Sequence, residues 1–365
     1  DRRAFGELSR LAGMGALKYV AVVVPLLAIT FGTINTYRPD LWLKIPEIGF
    51  IPWVIGGGHV PPYFFFDAWK KDTFQTWVRD GDVIASSGAK MGTNWMLYTL
   101  HQIRTRGTND PPWVEVHYNT PWPTFKHRPR QTWEEQQEKL NTTILPDGTP
   151  LKDLWDHPDY PFRIFKAHEM PIPKDGKPPK SATECLPVEQ FRKVKFIAMV
   201  RNSKDMINSL FTFFNTHSDE FRKTWGGFPP PYKNPKDTVH DLMPGGKLYK
   251  LFFGYVKAWW GWRHDKNVLL LHFSNYLNDP EGTIKIISDY VGYRLTSAEI
   301  SAVAEKTSFE AMSKLDDQFR GVVWDHDPPI KAIKGKKEGG TGIFNAGKGG
   351  QGKALWTGDL LKKWE

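Results

Sequence analysis

Short apolar runs alternate along this chain with segments in which apolar residues return every three or four positions. Asp82 to Ser86 (D-V-I-A-S), Phe162 to Phe165 (F-R-I-F), Val194 to Val200 (V-K-F-I-A-M-V) and Val268 to Phe273 (V-L-L-L-H-F) are brief and nearly continuous in apolar character. That pattern belongs to strands covered on both faces. Asn94 to Arg104 spaces Trp95, Leu97, Leu100 and Ile103 as a helix does, Ser203 to Asn215 reads as a helix, and Pro280 to Val291 carries Ile284, Ile286, Ile287 and Val291 on an amphipathic one. Strands alternating with helices predict an α/β fold with a mostly parallel sheet. No internal repeat is present. Residues 214–250 and 325–355 are rich in Gly, Pro and Lys and are expected to form long functional loops or lids.

The N-terminal part has a different texture. Tyr19 to Tyr37 contains no charged residue over nineteen positions, with Arg2, Arg3, Arg10 and Lys18 before it and Arg38 and Lys44 after it. As a helix it would be about 28 Å long, close to the hydrocarbon thickness of a bilayer. The expectation is a single membrane-spanning anchor, with a buried apolar helix and a remnant of a targeting sequence as the other readings. The basic flank then puts the main domain across the membrane from the N-terminus. Pro46 to Phe66 is rich in Gly, Pro and aromatics and reads as a linker or interfacial collar. The predicted organisation is therefore an anchor and linker over 1–66 and one domain over 67–365. The first residue is Asp1, not Met, so sequence is expected to precede it.

Composition narrows the picture. Of 365 residues, 40% are apolar and 24% charged, which excludes a wholly disordered chain. With 16 Trp and 23 Phe there is material for a large core and an aromatic-lined pocket. Cys185 is the single cysteine, so neither a disulfide framework nor a Cys-based zinc site can form within the chain. The net charge of +9 favours anionic ligands. The last 35 residues contain eight lysines against Glu338, Asp359 and Glu365. They read either as a solvated tail or as an anion-binding segment. Basic and aromatic residues are not interleaved in the manner of a nucleic-acid surface, so no nucleic-acid partner is expected.

One junction carries chemistry. Ser86 to Trp95 (S-S-G-A-K-M-G-T-N-W) follows a predicted strand and opens a predicted helix. There, unpaired backbone N–H groups and the helix dipole face an anion, Lys90 adds a point charge, and Gly88 and Gly92 permit the turn. The spacing is not that of a Walker A loop, which disfavours a kinase or NTPase. An ordinary strand–helix turn with an exposed lysine is the plain reading of this feature alone.

Further motifs point to a family. G-A-K-M-G-T-N-W resembles the Y-P-K-S-G-T-T-W loop of the cytosolic-type sulfotransferases, which use 3′-phosphoadenosine 5′-phosphosulfate (PAPS). F-K-A-H-E-M-P (Phe165 to Pro171) is similar to K-T-H-L-P, and V-R-N-S-K-D-M-I-N-S (Val200 to Ser209) to A-R-N-P-K-D-V-A-V-S. The block from Trp259 to Phe273 is similar to W-W-x-x-[R/K]-x-x-x-x-[I/V]-L-x-L-x-Y-E-D, K-T-S-F-E-A-M (Lys306 to Met312) to T-S-F-x-x-M, and G-K-G-G-Q-G (Gly347 to Gly352) to R-K-G-x-x-G. The matches come in family order over about residues 80–356.

The resemblance implies a P-loop-like three-layer fold and sulfuryl transfer from PAPS to a hydroxyl or amine acceptor, with no metal required. It implies that Lys90 contacts the phosphosulfate, that Gly92, Thr93 and Asn94 cradle the 5′-phosphate, and that Trp95 stacks on adenine. His168 matches the catalytic base and Lys166 a lysine near the transferring group. Arg201 and Ser209 match the pair on the 3′-phosphate, Thr307 and Phe309 the adenine pocket, and Lys348 and Gly349 the segment closing over the 3′-phosphate. The aromatic stretch from Trp113 to Trp133, including His117, Tyr118, Trp122 and Phe125, is expected to line the pocket of a hydrophobic or phenolic small-molecule acceptor.

The chain departs from the family pattern at Met91 (serine), Phe273 (tyrosine) and Gly347 (arginine). These departures and the N-terminal run support a second reading: a sulfotransferase-fold protein without catalysis, serving as a membrane-anchored subunit of a larger complex. The expected location is a membrane, of the Golgi or another organelle.

Overall fold

A computed structural model describes residues 68–128, 131–174, 185–225, 227–246, 248–324, 326 and 328–344, together with 350, 356, 358 and 362. Tyr19 to Tyr37 lies outside them. Among the described residues no helix is long and apolar enough to cross a membrane.

Four parallel strands form the central sheet: β1 (Val83–Ser87), β2 (Ile164–Ala167), β3 (Lys195–Val200) and β4 (Val268–His272), in the order β2-β1-β3-β4. Alternation along the strands divides the apolar side chains between two faces. Ile84, Phe165, Phe196 and Ala198 enter one core with Met206, Ile207, Leu210, Tyr255 and Trp259. Val83, Ala85, Ile164, Ile197 and Met199 enter the other with Trp95, Leu97, Leu100, Ile103, Ile284 and Val303. The first core belongs to α2 (Ser203–Asn215) and α5 (Tyr249–Trp262), the second to α1 (Thr93–Arg104), α6 (Pro280–Val291) and α7 (Ser297–Lys306). Helix–sheet–helix layering results, as the pattern predicts.

Local chemistry sets the boundaries. The Asp279 side chain accepts from Gly282 N at 2.9 Å, Pro280 occupies the first helical position, and Gly292 closes α6 with φ 79°. The Thr296/Glu299 capping box starts α7. Residues 214–250 differ from expectation. They contain α3 (Asp219–Thr224) and α4 (Pro235–Leu242), each capped by the preceding residue, Ser218 and Asn234. Pro235 is a helix starter there, not a loop residue, and Val239 and Leu242 are fully buried. Within 325–355, Ile330–Lys331 pairs antiparallel with Val322–Val323.

At the end of the sheet away from the strand–helix turns, Arg163 donates to Asp82 through Nε at 2.8 Å and Nη2 at 2.5 Å, with both side chains buried. This pair ties the starts of β1 and β2 together, and Arg79 N adds a bond to Asp82 at 2.7 Å. Removing one partner leaves a buried charge without its mate. Asp82→Ala is expected to lower unfolding stability by about 3–5 kcal/mol in urea titration, and Asp82→Leu combined with Arg163→Met to lower it much less.

Candidate active site

The register places Ser87 beside Met199, Ala167 beside Ser86 and His272 beside Val200, so all four strands end at one edge. Open α/β sheets bind ligands outside the carboxyl ends of their strands. The β1–α1 turn holds Lys90 at φ 62° and Gly92 at φ 107°. A Cβ on Gly92 would lie 2.6 Å from Met199 Sδ and 2.7 Å from the Phe273 ring, so only glycine fits. Among the described residues no side chain caps α1. Its first-turn N–H groups therefore face outward at the positive end of the helix dipole. The hydroxyls of Ser87 and Thr93 hydrogen-bond to each other beneath the turn. Met91 is buried and its thioether fills the space where Gly88 has no Cβ. The turn is thus held by apolar packing where the family pattern has a serine.

Lys90, Lys166 and Arg201 converge from the ends of three strands. Burial lowers the Lys90 ammonium to about 8, assisted by the charges of Arg201 and Lys166. Burial likewise lowers Lys166 to about 8, opposed by Glu115 and Glu169. Arg201 is lowered by burial, Nη1 donates to Lys90 O at 3.4 Å, and its buried Nε finds no acceptor among the described residues. Among the described residues no ion pair joins any of the three to a carboxylate. Each instead sits over an aromatic face: Lys90 at 4.5 Å from Phe213, Lys166 at 4.4 Å from Trp122, Arg201 at 4.8 Å from Phe273. A buried site with surplus positive charge and an orphaned guanidinium N–H is built for a multiply charged anion.

His168 follows β2. Its Nδ1 is 2.7 Å from Ser87 O and its backbone N donates to Glu169 at 2.8 Å. A carbonyl only accepts, so the hydrogen is on Nδ1 and Nε2 carries the lone pair. Burial, then the charge of Lys166, lowers His168 to about 3, so the ring is neutral at physiological pH. Trp122 stands edge-on to it at 4.8 Å and stacks on Phe125 at 5.0 Å. Glu169 accepts from Thr124 at 2.6 Å, fixing that aromatic loop to the His168 backbone. Of the aromatic stretch expected beside the acceptor, the ends lie elsewhere. Trp113 packs on Tyr98 at 5.1 Å and Trp133 on Trp77 at 5.8 Å, both within the cores. Tyr118 packs toward Trp324.

The remaining predicted residues divide. Trp95 stacks at 3.6 Å on Tyr276, whose hydroxyl donates to Thr307 O. Tyr276 was not singled out in the sequence. Its signal was its place one turn beyond Phe273, the position where the family tyrosine is missing. Thr307 is fully buried and its hydroxyl donates to Val303 O at 2.8 Å, whereas Phe309 is 39% exposed beside Phe344. Asn94 directs its amide to Phe319 O at 3.4 Å, leaving its backbone for a ligand. Ser209 is half-buried on α2, eight residues after Arg201. Lys348 and Gly349 lie outside the described residues. Their neighbour Gly350 donates to Asp205 at 2.9 Å, and the buried Trp356 lies 5.8 Å from Lys204. At these two positions the C-terminal segment touches the first turn of α2, with Trp356 buried and Gly350 exposed.

The comparisons agree with this geometry. Residues 80–320 match the model of the family described as Sulfotransferase domain. Sulfotransferase 2A1 of Rattus norvegicus is 27% identical over 248 residues, covering 66% of this chain and 69% of that protein. Sulfotransferase 1A1 of Rattus norvegicus is 30% identical over 256 residues, covering 69% and 73%. The crystal structure of retinol dehydratase in complex with androsterone and inactive cofactor PAP superposes with a TM-score of 0.55 at 19% identity, over 86% of this chain and 83% of that one, a likeness of fold. The charged strand ends, the uncapped helix and a family match over most of the chain lead to one conclusion: the chain belongs to the sulfotransferase family, and its reaction is sulfuryl transfer.

Proposed function

We propose that this protein transfers a sulfuryl group from PAPS to the hydroxyl of a hydrophobic or phenolic small molecule. The observation that carries the proposal is the convergence of Lys90, Lys166, His168 and Arg201 at one sheet edge above the uncapped start of α1. PAPS supplies a sulfuryl group already activated as an anhydride. The residues of the chain do the rest. The first-turn N–H groups of α1, with Thr93, hold the 5′-phosphate. Arg201 and Ser209, with Lys348 and Gly349, take the 3′-phosphate, and Trp95 the adenine, with Thr307 packed behind it under Tyr276 and Phe309 at its rim. His168 Nε2 accepts the acceptor's proton while Nδ1 stays anchored on Ser87 O. Lys90 and Lys166 offset the negative charge that builds on the leaving phosphate and the transferring oxygens. Trp122 and Phe125, against His168, form the apolar wall for the acceptor.

A membrane anchor over 19–37, ahead of a domain over 67–365, is a separate proposal, with an organelle membrane as the location. It rests on the charge-free run and its basic flanks. Alkaline extraction of membranes from cells expressing the full chain tests it: retention in the pellet is expected, and release into the supernatant overturns it.

Calorimetric titration with 3′,5′-adenosine bisphosphate (PAP) is expected to give micromolar binding that Arg201→Ala abolishes. With an acceptor found by screening, His168→Ala is expected to lower kcat by about 10²–10⁴-fold at unchanged PAP affinity. A folded protein that does not bind PAP overturns the proposal and favours the non-catalytic subunit. The pH profile of kcat/KM follows from the free enzyme. His168 takes a proton only near pH 3, so no acid limb belonging to it is expected between pH 7 and 5. Lys90 and Lys166 lose theirs near 8, so activity is expected to fall above about pH 8.

A further inference from the structure

His117 lies fifty residues before the catalytic strand end in no motif of the family pattern, yet its ring reaches Lys166. Lys166 Nζ is 3.3 Å from His117 Nε2, and His117 Nδ1 is 3.1 Å from Val322 O. Because the Val322 carbonyl only accepts, Nδ1 bears the hydrogen and Nε2 presents its lone pair to the lysine. The ring cannot easily turn. His117 is buried on the one-turn helix Val116–Asn119, where the Glu115 carboxylate accepts from His117 N at 2.6 Å and from Val322 N at 3.1 Å. Gly321 lies against its other side, where a Cβ would come within 3.0 Å of His117 Cε1.

We propose that His117 is a positioning residue that holds the Lys166 ammonium charged and fixed in the site. A buried ammonium needs an acceptor or it gives up its proton. Among the described residues Glu115 and Glu169 make no hydrogen bond to Lys166 and act on it through their charge, and Lys90 repels it. His127 and His168 face the same space, and burial holds their rings neutral. His117 supplies the directed acceptor, and burial keeps it from protonating. The bond takes up one of three ammonium hydrogens and leaves the others for the anion. The importance of this bond to turnover rests on the sulfuryl-transfer reading; the bond itself does not.

Two substitutions separate the ring's two contacts. His117→Asn keeps a donor for Val322 O and is too short to reach Lys166. His117→Gln is long enough to keep an acceptor at the lysine. Competitive acetylation of the full chain with acetic anhydride across pH, read on the Lys166 peptide by mass spectrometry, gives the midpoint at which Lys166 becomes reactive. The wild-type midpoint is expected near 8. The Asn variant is expected to move it down by about one unit, the worth of one hydrogen bond to a charged group, and the Gln variant to hold it. Equal midpoints in the wild type and the Asn variant overturn the proposal. If the Asn variant does not fold, a folded Gln variant with a lowered midpoint overturns it, and one that holds the midpoint supports it. Turnover on the same samples tests the earlier reading separately: a shifted midpoint in a protein that binds no PAP and sulfates no acceptor sinks sulfuryl transfer and leaves the His117–Lys166 bond in place.

Discussion

Lys90, Lys166 and Arg201 are brought together where burial lowers the proton affinity of each, and among the described residues none of them is matched by a carboxylate in an ion pair. Like charges gathered out of water oppose folding, so the surrounding structure must hold them. Much of the architecture answers that demand. The three cations stand at or just past the ends of strands whose hydrogen-bond register is pinned by two packed cores. Each rests on the face of an aromatic ring, which attracts a cation without neutralising it. A carboxylate in the same place would compete with the anion the site is shaped to take.

This arrangement gives a physical account of two departures from the family pattern. Phe273, where the pattern has tyrosine, offers Arg201 a ring face and packs its edge against Gly92. A hydroxyl is not needed for either contact. The aromatic partner of Trp95 is supplied one helical turn later by Tyr276, whose hydroxyl is bound to Thr307 O. Met91 likewise replaces a hydroxyl with a thioether that fills the space beneath the turn, while Ser87 and Thr93 keep a hydroxyl pair at the same place. The departures change how the loop is supported and leave its cations and its helix N-terminus in position. That is the pattern of an adapted site, not of an abandoned one.

The acceptor side is organised by a second set of contacts. Glu169 links the Thr124 hydroxyl to the His168 backbone, and Glu115 links the Val116–Asn119 helix to the backbone at Val322. Glu115 is buried and Glu169 partly so, and desolvation raises the proton affinity of both. They act as fixed acceptors for backbone and hydroxyl donors, so the base and its lysine are held from two directions. The electrostatics of the site are thereby divided: cations toward the donor, satisfied carboxyls behind the acceptor wall.

The strands, the helices α1, α2 and α6, and the phosphate-binding character of Ser86 to Trp95 were legible in the sequence, because they follow from local periodicity and from backbone rules at glycine and at helix starts. α2 and α6 match the expected spans residue for residue. The helices within 214–250 were not legible: a Pro at a helix start and one in a loop look alike until the buried face of Val239 and Leu242 is known. The identities of Lys90, Lys166, His168 and Arg201 were readable as motif letters, but their common destination was decided by strand order, which sets residues over a hundred positions apart side by side. The stacking of Tyr276 on Trp95, which the place of Tyr276 one turn beyond Phe273 only hints at, and the approach of His117 to Lys166 were decided by the tertiary structure. Each contact joins side chains from distant parts of the chain, which only the fold brings together.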